Sequence, residues 1–154
     1  MASSDSTVSR PIPVPDARSE GFWAAARSGV LALARCAACG AFALPPDVTC
    51  PTCTSPDPGF TFVPVDGRGT VRSWTVLHDS FLPGFRDDVP FVLVDVELDA
   101  QPGLRLIGRL LDGTAGLAPE AAPRLALGAR VEVDFERPAP DVAVPAFRLE
   151  PVTP

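Results

Sequence analysis

Four cysteines, Cys36, Cys39, Cys50 and Cys53, form two Cys-x-x-Cys pairs with ten residues between them, and this spacing constrains the chain more than any other feature. Two such knuckles can converge as four thiolates around one tetrahedral ion, which leaves no position for water or substrate. A site of that kind stabilises and does not catalyse. Gly40, the Pro45-Pro46 pair and Pro51 forbid a long helix through the same stretch, so it reads as loop and short hairpin. A unit this small buries too little apolar surface to fold alone, and metal binding would supply much of its folding free energy. Structural zinc is the expected cofactor; rubredoxin-like iron and a redox dithiol pair are the alternatives that the spacing leaves open.

At 154 residues the chain has room for one ordinary core and a small appendage. The hydrophobic fraction is 46%, yet no window reaches the ~20 unbroken apolar residues of a membrane helix. Met1 to Pro15 is rich in serine and proline, lacks the basic stretch and apolar run of a signal peptide, and reads as a disordered arm. Export is not expected, and a reducing cytoplasm suits four metal-binding thiols. A net charge of −6 repels polyphosphate backbones. All 13 cations are arginine, and the absence of lysine removes Schiff-base chemistry.

From Asp16 to Ser28 the signals are helical: Asp16 or Ser19 as N-cap, Phe22, Trp23, Ala26 and Val30 at near-helical spacing, and Gly29 as terminator. From Phe60 onward short β-rich runs alternate with turn residues, giving candidate strands at Phe60 to Val65, Gly69 to His78, Pro90 to Leu98, Leu104 to Leu110, Ala129 to Glu136 and Ala146 to Glu150. Val131 to Glu136 alternates strictly, as a strand with one face in a core does. The connection from Asp112 to Gly128 holds Pro119 and Pro123 and accommodates only a broken helical turn. The expected organisation is an arm over 1–15, an N-terminal helix over 16–34, a zinc ribbon over 35–56, a barrel over 57–150 and a tail over 151–154. The fold class is mainly β, with the helix and ribbon followed by a five- to six-stranded OB-fold barrel.

Outside the cysteines the signals are weaker. His78, the sole histidine, sits beside Asp79 at a strand end; it could be a general base, but no nucleophile accompanies the pair, and a solvated histidine is the plainer reading. Asp79, Asp87, Asp88, Asp95, Glu97 and Asp99 divide between a loop and one strand face, which suits a solvated surface better than a catalytic pair. Phe81, Leu82 and Phe85 occupy one loop, and Phe22 and Trp23 the helix; each group either packs internally or meets a partner or substrate channel. Arg68, Arg72, Arg105 and Arg109 could gather on one barrel face and offer guanidinium forks to a CoA phosphate.

The order of these features, Phe22-Trp23, Gly29-x-Leu31, Arg35-Cys36-x-x-Cys39-Gly40, Pro45-Pro46, Cys50-Pro51-x-Cys53, Gly67-x-Gly69-x-Val71-x-Ser73-x-Thr75-Val76, Pro90-Phe91, Val94-x-Val96-x-Leu98, Gly128-x-x-Val131 and Pro145-x-Phe147-Arg148, resembles the family in which a rubredoxin-like zinc ribbon precedes an acyl-CoA-associated OB-fold domain. The resemblance spans roughly residues 20 to 150. It implies a non-catalytic accessory subunit whose separate partner, a thiolase-like aldolase or acyltransferase or a hotdog-fold hydratase, holds the catalytic residues, with the OB domain helping to form the CoA-thioester channel. Steroid or lipid side-chain degradation is the process implied. It also carries the four cysteines over as zinc ligands and transfers no catalytic residue. The competing class is a free-standing single-strand nucleic-acid binder with Trp74 as a stacking platform, which the acidic charge opposes.

Overall fold

In the computed structural model, residues 10–112 and 124–151 are described. The arm enters without helix or strand, and Asp16 turns it. Its carboxylate accepts the backbone N–H groups of Arg18 and Ser19 at 3.1 and 2.8 Å and the Ser19 hydroxyl at 2.6 Å. These bonds, the hydroxyl first, hold the Asp16 pKa below the usual carboxylate value. Helix α1, Glu20–Arg27, follows with Ser19 as its N-cap residue. It is shorter than the sequence suggests because Asp16 to Ser19 is consumed by that turn. A Schellman motif ends it: Gly29 N–H bonds to Ala26 O at 2.8 Å and Val30 N–H to Ala25 O at 3.0 Å, with Gly29 at φ +75°.

Three short strands make the first sheet, in the order β2, β1, β3: β1 is Ala32–Arg35, β2 Phe42–Ala43 and β3 Thr61–Pro64. All pairings are antiparallel, with Ala34 opposite both Ala43 and Phe62. The first of the six expected strands therefore forms but joins the ribbon sheet, and five are left for the barrel. Helix α1 lies against this sheet at Gly21, where an added Cβ would stand 2.2 Å from a ring carbon of Phe62.

The barrel is closed in the order β4, β5, β6, β8, β7, with β4 Arg68–Leu77, β5 Phe91–Leu98, β6 Arg105–Leu110, β7 Arg130–Ala139 and β8 Val142–Leu149. Neighbours are antiparallel except β6 and β8, which meet in parallel through Arg109↔Ala146 and Leu110↔Phe147. Alternation fills the interior: Val92, Val94, Val96 and Leu98 of β5 are buried, as are Val71, Val131 and Phe147. Phe147 is the largest fully enclosed side chain, and an added Cβ on Gly108 would approach its ring at 3.0 Å. Strand β8 starts earlier than the sequence indicates because it forms a tight hairpin with β7 around Pro140 and Asp141. The expected broken turn between Asp112 and Gly128 falls mostly on residues 113–123, outside the described ones.

Candidate functional site

The two knuckles share one backbone plan. Gly40 N–H bonds to Cys36 O at 2.8 Å and Cys36 N–H to Ala41 O at 2.9 Å; the second knuckle repeats this, Thr54 N–H to Cys50 O at 2.9 Å and Cys50 N–H to Ser55 O at 3.1 Å. Each closes on a left-handed residue, Gly40 at φ +75° and Thr54 at φ +58°. Both turns aim main-chain N–H groups at sulfur, Thr52 N–H reaching Cys50 Sγ at 3.4 Å.

The four sulfurs lie within 4.8 Å of one another, with Cys36 and Cys53 3.9 Å apart and Cys39 and Cys50 3.7 Å apart. Four thiolates at ~2.3 Å from a tetrahedral ion would be ~3.8 Å apart, which these two spacings match, and the other pairs need to close by about 1 Å at most. Cys36 and Cys50 are buried while Cys39 and Cys53 face outward. The N–H of Cys53, and then that of Thr52, hold the Cys50 pKa down to about 6 against burial, whereas Cys39, despite the Ala41 N–H, is pushed up to about 12 by burial and by its bonds to the other three sulfurs. Four protein ligands close the coordination sphere, and the arrangement can brace the fold but cannot activate a water. Among the described residues no other group of histidine, cysteine and carboxylate side chains converges this way.

The remaining candidates separate. His78 and Asp79 are exposed, and the Asp79 carboxylate accepts Ser80 N–H at 2.8 Å. Asp95, Glu97 and Asp99 are engaged by Arg105, Arg72 and Arg130 respectively. Each proposed phosphate arginine holds a carboxylate: Arg68 with Glu150 at 3.9 Å, Arg72 with Glu97 at 3.6 Å, Arg105 with Asp95 at 2.9 Å, and Arg109 with Asp88 and Glu136 at 3.1 and 3.2 Å. Phe22 packs on the core and meets Trp23 edge-on, with centroids 5.0 Å apart. Phe85 is half-buried against Phe91, whereas Phe81 is 89% exposed and Leu82 49%. Trp74 also packs against the core.

Three features have no clear sequence signal. Gln101 turns its side-chain amide into a strand partner for β2, accepting Phe42 N–H at 2.8 Å and donating to Phe42 O at 3.1 Å, and so ties ribbon to barrel. Arg10, within the arm expected to be disordered, is held by Asp88, Gly84 O and Phe85. Glu136 joins that cluster from β7. Thr54 alone could have been found, by aligning Cys50-x-x-Cys53-Thr54 on Cys36-x-x-Cys39-Gly40.

A four-thiolate ribbon braced against a five-stranded OB barrel defines a class of small two-part proteins, and comparison with known proteins gives the family. Residues 23–59 match the domain described as the rubredoxin-like zinc ribbon of ChsH2, and residues 62–136 match its C-terminal OB-fold domain. A solved chain from the "Ltp2-ChsH2(DUF35) aldolase" is 32% identical, with a TM-score of 0.71 over 89% of this chain and 98% of that one. The protein belongs to this ChsH2 family of zinc-ribbon and OB-fold proteins, and its four cysteines form the family's structural zinc site. A probable enoyl-CoA hydratase alpha subunit from Thermomonospora curvata is 35% identical over 140 residues, which are 90% of this chain but 40% of that protein. A DUF35 protein of unknown function from Sulfolobus solfataricus shares the fold, at 14% identity and a TM-score of 0.53 over 87% of this chain and 86% of that one. No helix among the described residues is long and apolar enough to cross a membrane.

Proposed function

We propose that this chain is a non-catalytic, zinc-containing accessory subunit of an acyl-CoA-processing complex. Its partner is a thiolase-like aldolase or acyltransferase acting on steroid or other lipid side chains, and the barrel helps to form the CoA-thioester channel. The observation that carries the reading is the end-to-end likeness to the ChsH2 chain of an aldolase, at 98% coverage of that chain. The chemistry of the described residues supports it: the four thiols converge on one metal position, and the single imidazole is exposed without a bond to its neighbouring carboxylate. Bond-making then falls to the partner. Phe81 and Leu82 are the side chains we assign to its surface, since an exposed phenylalanine at a loop tip is suited to anchoring in a pocket. Arg68, Arg72 and Arg105 have exposed guanidinium groups whose carboxylate partners a CoA phosphate would replace. Arg109, only 14% exposed, stays with its two carboxylates.

The likeness to a hydratase alpha subunit favours a second reading in which the partner is a hotdog-fold hydratase. Purification of the tagged chain from its source organism, with mass spectrometry of what remains bound at moderate salt, separates these. A near-stoichiometric thiolase-like protein is the expected result, and a hydratase in its place moves the assignment to the second reading. Nucleic acid, or the chain alone, contradicts both.

A further inference from the structure

The outer face of β5 and β6 carries a groove of about 360 Å³, walled by Phe85 and Phe91 on one side and by Pro138, Val144 and Pro145 on the other. In OB barrels the face of the second and third strands, flanked by the first and last hairpin loops, is where extended ligands lie. Those strands are β5 and β6 here, and this chain's own segment Arg10-Pro11-Ile12-Pro13-Val14-Pro15 lies beside the groove as a further wall, leaving the space between open. Pro11 and Pro13 line it, and the segment continues past Trp23 toward Val142.

The seat of Arg10 is specific. Its guanidinium pairs with Asp88, lies 3.6 Å from Glu136, donates through Nε to Gly84 O at 3.2 Å and covers the Phe85 ring at 4.9 Å from the centroid. A second cation, Arg109, is stacked on Phe91 at 4.8 Å and bonded to the same two carboxylates at 3.1 and 3.2 Å. Without Arg10 the slot therefore holds two carboxylates against one guanidinium, a single negative charge under an aromatic face, and so matches one further planar cation. Gly84 is fitted to the visitor: at φ +76°, with an added Cβ 2.5 Å from the Arg10 backbone nitrogen, it leaves no space for a side chain. The alternating prolines keep the segment extended at little entropic cost, as in other proline-rich recognition sequences.

We propose that this groove is a docking site for an extended, proline-spaced peptide headed by an arginine, and that residues 10–15 fill its arginine slot in cis. The site goes beyond the accessory-subunit reading and stands without it.

The test uses the full-length zinc protein and a fluorescent peptide of residues 8–16, followed by anisotropy. Arg10→Ala should free the groove and bind the peptide saturably, and the unmodified chain should bind it at least about tenfold more weakly, because a tethered competitor acts at millimolar effective concentration. A peptide with alanine in place of its arginine should not bind, and Glu136→Gln added to Arg10→Ala should weaken binding of the native peptide. Zinc content and circular dichroism check the fold, and Arg10→Gln, which retains the apolar stem, replaces Arg10→Ala if the latter loses it. The proposal is overturned if the freed groove ignores the peptide, if it binds both peptides alike, or if the unmodified chain binds as tightly as the variant. A dimer of the unmodified chain that dissociates on Arg10→Ala would overturn occupancy in cis.

Discussion

Thr54 shows how a metal ribbon absorbs a local cost. It occupies the left-handed position that Gly40 fills in the other knuckle, although a β-branched side chain is disfavoured there by about 1–2 kcal/mol. Thr54→Gly should therefore stabilise the folded ribbon by about 1 kcal/mol and slow zinc loss to a chelator, as measured by a colorimetric zinc indicator. Cys36 is buried and shares the metal position with the other three sulfurs. Cys36→Ser should release the ion, and amide exchange should then show residues 35–56 unprotected while the barrel strands stay protected. Cys50 is one of four thiols that must lose a proton to hold the metal. Its folded pKa lies below the ordinary thiol value, so the stability it contributes is present above that ordinary value and is lost as pH falls through about 6, whereas Cys39 is pushed up to about 12. Zinc uptake by the metal-free chain, followed by titration at fixed pH, should weaken progressively as pH falls from the ordinary thiol range, because every ligating thiol must lose its proton. At Gly21 two effects oppose: alanine favours helix by about 1 kcal/mol, but its Cβ would meet the Phe62 ring at 2.2 Å. Overpacking costs about 1–3 kcal/mol, so Gly21→Ala should lower Tm.

The secondary-structure elements differ in how far the sequence discloses them. Val131 to Glu136 is legible because alternation is a local property, and β7 runs through it. Strand β1 is not, since Ala32–Arg35 continues the apolar run of α1 and only Gly29 separates the two. Strand β2 has two residues and no periodicity to read. Strand β3 is recognisable as a strand, but its choice of β1 over the barrel depends on pairing across some thirty residues, which composition does not encode. Between ribbon and barrel the union rests on Gln101. Gln101→Leu should leave Phe42 N–H and C=O without their partner, which costs about 1–3 kcal/mol if they stay buried. Chemical denaturation should then show the ribbon separating before the barrel.

For the whole molecule, the cysteine spacing disclosed the metal centre because both knuckles lie within eighteen residues and the chemistry is local. The arm over the OB face was invisible for the opposite reason: Arg10 finds Gly84, Asp88 and Glu136 only once the barrel has closed. The apolar groups that the sequence left undecided divide by burial, Phe22 and Phe85 inward and Phe81 outward. Phe81→Asp should therefore leave zinc content and Tm nearly unchanged and weaken association with the partner enzyme by about 2 kcal/mol or more, measured by calorimetry. The proposed function is a division of labour, in which this subunit would brace and the partner react. Acyl-CoA turnover measured for the chain alone, the partner alone and the two together tests it most directly. The account predicts no turnover by the chain, little or none by the partner, and sustained turnover by the complex; turnover by the isolated chain would contradict it.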